Sequence, residues 1–280
     1  MPALLAACGA AAPEQQARPA MWLVEDDDTR IYMLGTMHAL PRGTEWNAGK
    51  VAGAIHAADE LVMELSPGEL AAAGGVFQKL APRTTPLAIE KRLSGAALSR
   101  YRTLEASGRP LGGEAFDDWA VMVLMGQRVA QQAELSSADG VEPGLTAQFK
   151  AAGKPIGGLE TAEAQLMLFE TLDAATQRAL LTRAAEGSGT AVKDVGALTA
   201  AWSRGDVAAL DKVINEDVDA VPAARKAILT DRNRRWSAWV QKRMKQPGTV
   251  LMAVGAGHLV GTDGVPAMLE AEGLKVVRVQ

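Results

Sequence analysis

Several short apolar runs near both ends of this chain lack the strict period-two alternation of a strand that faces water on one side. Met21-Trp22-Leu23-Val24, Ile31-Tyr32-Met33-Leu34, Leu61-Val62-Met63 and Val250-Leu251-Met252-Ala253-Val254 are apolar at successive positions, so both faces of each strand need cover. A sheet buried between helices supplies that cover, and helical crossovers make such a sheet largely parallel. The expected fold class is α/β: a mostly parallel or mixed central sheet flanked by helices.

The rest of the pattern agrees. The runs at 21–24 and 30–34 flank Asp26-Asp27-Asp28-Thr29 and read as a β-hairpin. Asn47 is the expected cap of a helix ending at 58, and a strand follows over 60–65. Residues 66–150 are rich in helical patterning, best defined over 114–132, and 155–159 is a short strand candidate. One long amphipathic helix is expected over 161–186, with further helices over 190–246. A strand over 249–254, a helix over 265–271 and a strand over 274–279 close the chain. The middle third is thus a large helical insertion between the two halves of the sheet. No repeat of solenoid period is present.

Composition narrows the function classes. Lys+Arg 29 against Asp+Glu 33 gives a net charge of −4, which argues against nucleic acid or an anionic membrane surface as partner. No run approaches the roughly 20 apolar residues of a membrane-spanning helix. The single cysteine excludes an internal disulfide framework and any zinc site built from several thiolates. It lies in Leu5-Ala6-Ala7-Cys8, which resembles a bacterial lipobox, although only seven residues precede it and no basic segment does. Lipidation of Cys8 would attach the protein to a membrane, in the periplasm or at the outer membrane; without it, the expected location is the cytoplasm. Residues 1–19 are read as a leader or tether, and 20–280 as a single domain.

Chemistry concentrates at strand ends. Two of the three histidines share a context, an apolar strand followed by Gly-x-x-His: Gly35-Thr36-Met37-His38 and Gly255-Ala256-Gly257-His258. With Gly at 28 of 280 positions, that coincidence has odds of about 3%. Ligands of open α/β sheets bind beyond the carboxyl ends of the strands. A glycine there permits positive φ and close backbone approach, which turns the chain and aims the next side chain into the crevice. Either histidine alone is more simply a satisfied core residue; the pair is better explained as a site. Glu64 closes an apolar strand, where an ionised carboxylate costs on the order of several kcal/mol unless paired or bound to a cation. Glu160 ends the next candidate strand, with helix capping as its plainer role. Leu229, Asn233, Trp236 and Val240 share one helix face, so Asn233 and its neighbour Arg232 either serve the core or point into the crevice. His56, mid-helix, reads as a packed or half-exposed helix residue.

These residues resemble the TraB/GumN family, which includes the Tiki proteases and is distantly similar to the erythromycin esterases and the haem-associated ChaN proteins. The likeness runs from about residue 21 to 280 through Leu34-Gly35-Thr36-Met37-His38, Val62-Met63-Glu64-Leu65, Gly158-Leu159-Glu160-Thr161, Arg232-Asn233 and Gly255-Ala256-Gly257-His258. The resemblance implies an α/β fold with a helical insertion and, by its Tiki branch, divalent-metal-dependent peptide cleavage. On the matching motifs, His38 and His258 would be metal-site residues, Glu64 the catalytic or ligating carboxylate, and Arg232 with Asn233 site-lining. Glu142 stands where many relatives carry Asp.

Two functions of different class are compatible with this set. One is a metallohydrolase of the cell envelope that cleaves a peptide or ester, with Glu64 and Glu160 supplying ligand and base and with Arg232 and Asn233 in the catalytic group. The other is an envelope protein that binds a metal, haem or peptide without turnover. Two imidazoles and a carboxylate suit Mn, Co, Zn or Fe.

Overall fold

The computed structural model describes residues 16–280. Cys8 and its lipobox-like neighbours lie outside the described residues. The hairpin forms as expected from β1 (Met21–Glu25) and β2 (Thr29–Thr36), and Asp26 Oδ1 closes its turn by accepting from the amides of Asp28 and Thr29. There follow β3 (Leu40–Pro41), α1 (Gly49–Ala57) and β4 (Glu60–Leu65). Next come α2 (Pro67–Leu80), α3 (Gly95–Ala106), α4 (Asp118–Gln132), β5 (Leu135–Ser136), α5 (Val141–Ala151) and β6 (Ile156–Glu160). A second helical stretch comprises α6 (Ala162–Glu170), α7 (Ala174–Gly187), α8 (Ala191–Ser203), α9 (Val207–Asp219), α10 (Pro222–Arg225) and α11 (Asp231–Arg243). The chain ends with β7 (Gly248–Gly255), α12 (Val265–Ala271) and β8 (Val276–Arg278).

The main sheet has the order β6-β4-β7-β2-β1-β8. β6, β4, β7 and β2 are mutually parallel, while β1 runs antiparallel to both of its neighbours. The sheet is therefore mixed and mostly parallel. Its central strands are buried on both faces: Ile31, Met33, Leu34, Leu61 and Val250 through Val254 are at most 1% exposed, which is why they carry no polar alternation. A separate apolar cluster around Tyr101, Val121, Met125 and Leu181 holds the helical layer together. Asp118 ties that layer electrostatically, its two oxygens accepting from Arg92 Nε at 2.6 Å and Arg178 Nε at 2.5 Å. No helix among the described residues is long and apolar enough to cross a membrane.

β6 forms where a short strand was expected and stands between α2 to α5 and α6 to α11. Other local expectations need correction. The helix expected over 161–186 breaks at residues 171–173, where Asp173 caps α7 through the Thr176 amide, because Asp competes for a backbone donor better than it continues a helix. Asn47 does not cap α1; the cap position is Ala48, and the Asn47 amide instead donates to Gln148 Oε1. Residues 16–19, read above as part of the tether, belong to the body. The Ala17 amide donates to the Glu45 carbonyl and the Arg18 amide to that of Ser203, and Ala17 is buried. Backbone pairing of this kind leaves no mark on composition.

Candidate functional site

The two Gly-x-x-His segments leave the sheet side by side. β2 and β7 pair in parallel along their whole length, with Gly35 opposite Val254 and Thr36 opposite Gly255. Register alone thus brings together residues more than two hundred positions apart in sequence. Neither motif glycine needs positive φ, contrary to the expectation, since Gly255 has φ −49° and Gly35 is absent from the positive-φ positions. Close approach is the reason for both. A Cβ on Gly35 would lie 3.3 Å from the Cα of Ala256, and one on Gly255 would lie 3.1 Å from Glu64 Oε1.

That unfilled position beside Gly255 is the focus of the site. His38 Nε2 and His258 Cδ2 each lie 3.7 Å from it. Each ring is oriented from behind. His38 Nδ1 bonds Glu142 Oε1 at 2.8 Å, and Thr36 Oγ1 donates to the same oxygen at 2.5 Å. Glu142 stands in the first turn of α5, where the helix dipole favours a negative charge. The His38 loop is pinned there as well: the Val141 amide donates to Met37 O, and a Cβ on Gly140 would lie 2.3 Å from His38 O.

His258 sits in a turn over Ala256–His258 and is buried. Asn233 Nδ2 donates to the Asp263 carbonyl, so Asn233 Oδ1 is left to accept from His258 Nδ1 at 2.6 Å. This assigns the proton to Nδ1 and the lone pair to Nε2, which accepts from Arg232 Nη1 at 2.9 Å. The Trp236 ring packs 4.4 Å from the imidazole and 4.6 Å from the Arg232 Cζ. A single π-helical turn over Lys226–Thr230 precedes α11 and sets the register in which Arg232, Asn233 and Trp236 all turn inward. The helix-face expectation holds for all four of its residues, every one buried.

Arg232 joins the two carboxylates. Its Nη2 donates to Glu64 Oε2 at 2.6 Å and to Glu160 Oε2 at 2.7 Å, and its Nε lies 3.0 Å from the latter oxygen. Glu160 does not cap α6; Thr161 does, through the Ala164 amide. Glu64 Oε1 accepts the Gly255 amide at 2.8 Å, and Gln165 Nε2 reaches Oε2 at 2.9 Å. Burial works against the charge on Glu64, but His258, which is protonated at the low pH where Glu64 itself titrates, together with Arg232 and His38 outweighs it and holds the carboxyl down at about 2. Its hydrogen bond to Glu142 raises His38 to about 9, against burial, and the same pair lowers Glu142. The His38 side chain is 70% exposed, so solvent screens what this pair adds to stability.

Burial is the main cause that lowers His258 to about 4, with Arg232 and His38 assisting and Glu64 opposing. An unfolded chain protonates this ring near 6.5, so between pH 6.5 and 4.5 the unfolded state binds the extra proton. Stability should therefore fall as pH drops through that window, before Glu64 begins to titrate. Urea midpoints measured across it should decline in the wild type and decline less in His258→Gln. Equal slopes in the two proteins would show that the folded state does not hold His258 neutral.

Of the six side chains expected at the site from the sequence, Glu64, Glu160, Arg232, Asn233 and His258 form one hydrogen-bonded network, and His38, bonded to Glu142, faces it across the gap beside Gly255. His56 stands apart on α1, exposed, and its carbonyl accepts from Lys154 Nζ. Gln165 escaped the sequence reading because nothing marks a helical glutamine as a carboxylate's partner, and Glu142 became interpretable only through its contact with His38. A cavity of about 240 Å³ opens over the network, with His38, Glu64 and Glu142 in its polar lining and Met63, Leu65 and Leu70 in its apolar lining.

The donors suit a divalent cation in kind. Both imidazoles have Nδ1 tied to an acceptor, the arrangement that directs Nε2 toward a metal, and Glu64 Oε1 borders the same gap. Their spacing is not that of a finished site. Among the described residues no three His, Cys, Asp or Glu side chains are grouped to hold an ion, and the His258 lone pair is engaged by Arg232.

No curated protein and no solved structure matches the chain. Residues 20–278 match the TraB/PrgY/gumN family, nearly the whole of the described body and every residue of the network above, and the chain belongs to that family.

Proposed function

We propose that the chain is a divalent-metal-dependent hydrolase of a peptide or ester carbonyl, acting in the cell envelope. The observation that carries this reading is the convergence of His38 Nε2, His258 and Glu64 Oε1 on the space a Cβ of Gly255 would fill. His38, His258 and Glu64 would hold the ion, which supplies a water of lowered pKa and polarises the carbonyl. Glu142 and Asn233 keep the two rings oriented. Glu64, with its carboxyl at about 2, stays ionised at any working pH and serves as a fixed negative charge; so weak a base is far from the optimum for taking a proton. The small cavity with its apolar walls suits one side chain beside the scissile bond. Envelope placement rests on Leu5-Ala6-Ala7-Cys8 and its lipobox likeness.

A second reading has one observation in its favour. Glu64 and Glu160 are both paired with Arg232, so neither is a spare carboxylate free to act as base. A protein that binds a metal, haem or peptide without turnover needs no such group.

Turnover separates the two. After chelation, Mn²⁺, Co²⁺, Zn²⁺ or Fe²⁺ is restored singly, and cleavage of a peptide library and an ester panel is followed. Gly255→Ala is the paired variant. At φ −49° the alanine backbone is unstrained, so the fold should persist while the new Cβ crowds Glu64 and both rings. Cleavage should then fall about 10²-fold. Wild-type rates in the variant would reject this site, and ion binding without cleavage by the wild type would favour the second reading.

A further inference from the structure

We propose that the cavity beside the loop after α3 binds a phosphate group, gripped by the buried guanidinium of Arg128. This site shares no residue with the strand-end network and does not depend on the hydrolase reading. Three arginines among the described residues are buried: Arg92, Arg128 and Arg232. Arg92 meets Asp118 and Arg232 meets Glu64, each at 2.6 Å. Arg128, on α4, meets only neutral oxygens. Its Nη1 donates to Leu104 O at 3.0 Å and to Ser107 Oγ at 3.3 Å, and its Nη2 to Arg109 O at 2.6 Å, and no carboxylate among the described residues pairs with it. A buried cation without a counter-ion is costly. Leu104 and Ser107 stand at the carbonyl end of α3, whose dipole offsets part of that cost. A neutral donor would make the same contacts, so they do not account for a full positive charge.

The charge faces an opening. A guanidinium has five N–H groups, and these three bonds leave Nε–H and one Nη2 hydrogen over. Nε and Nη2 form one edge of the guanidinium plane, an edge that matches two oxygens of one anion. Arg128 lines a cavity of about 670 Å³, within the range of small-molecule sites. Arg109 adds a second guanidinium to the lining, Gln127 and Gln131 add amides, Leu111 and Leu124 add apolar wall, and no aspartate or glutamate is present there. In a chain of net charge −4, a pocket with two guanidiniums and no carboxylate attracts an anion. Two positive charges match a phosphate dianion better than a single carboxylate. The loop also fits closely around the guanidinium: a Cβ on Gly108 would lie 2.5 Å from Arg128 Cζ and 2.6 Å from its Nη1. Only glycine at that position leaves the Arg128 head where it stands.

The test is calorimetric titration of the full chain with inorganic phosphate, and separately with glycerol 3-phosphate, in about 0.15 M chloride to screen weak surface binding. One saturable site is expected. Arg128→Lys keeps the charge but loses the two-pronged edge, and should weaken binding about tenfold. Gly108→Ala changes no charge and needs no positive φ; its Cβ displaces the guanidinium, and the loss should be similar. Arg109→Ala, an exposed change that the fold should tolerate, should cost a few-fold and serves if the other two do not fold. Tighter binding of glycerol 3-phosphate would identify a phosphate ester as the ligand, and equal binding the free ion; either supports the site. No saturable binding by the wild type would overturn the proposal. So would folded variants that bind as the wild type does, which would place the phosphate elsewhere, and so would acetate binding as tightly as phosphate.

Discussion

Arg232→Met is expected to lower the unfolding free energy by about 3–5 kcal/mol, the largest stability effect of any single change at this site. The guanidinium is only 7% exposed and stands between Glu64 and Glu160, whose side chains are 10% and 8% exposed. Removing it leaves two carboxylates in a poorly solvated space with their shared cation gone, and each then pays a desolvation cost that nothing offsets. Methionine restores the volume and the apolar contact with Trp236, so the loss reports charge and not a cavity. Urea melts at neutral pH measure it. Adding Glu160→Gln to Arg232→Met should recover part of the loss, since one stranded carboxylate is then neutral. A variant within about 0.5 kcal/mol of wild type would mean that water reaches these carboxylates more freely than the structure shows.

For Glu64→Gln the larger effect is expected on turnover. The amide keeps the shape, retains an oxygen for the Gly255 amide, and removes the negative charge beside both imidazoles. If the protein hydrolyses its substrate at this site, the rate should drop by about 10² or more. Stability should fall less than in Arg232→Met, because Arg232 keeps Glu160. The pH dependence gives the sign. A carboxyl held at about 2 instead of 4.5 contributes stability that is fully present above pH 4.5 and is lost as pH falls toward 2. That shift corresponds to about 3 kcal/mol, and Glu64→Gln should abolish this part of the acid transition. Cleavage rates and acid melts on the same two proteins decide the matter: a folded variant cleaving at the wild-type rate rejects Glu64 as a working group, and an unchanged acid limb rejects its buried pairing.

The four apolar runs were sufficient to specify a buried, mostly parallel sheet, because strands covered on both faces cannot alternate. The two Gly-x-x-His segments marked both histidines of the site, and the helical spacing of Leu229, Asn233, Trp236 and Val240 marked the inward face of α11 and of the π-helical turn before it. These signals are local: each depends on residues within one element. What the tertiary structure alone decided is which elements meet. The Thr36–Gly255 register of β2 and β7 set the histidines side by side, and no local pattern encodes a pairing across more than two hundred residues. The partner of Glu160 was equally hidden, since a carboxylate ahead of a helix looks the same in sequence whether it caps that helix or holds Arg232. Glu142 reaches His38 only because α5 begins against the end of β2, with Val141 bonded to Met37. The roles of these polar residues follow from distance and burial, which are properties of the packed chain; sequence supplies the residues, and packing decides which charges must neutralise one another.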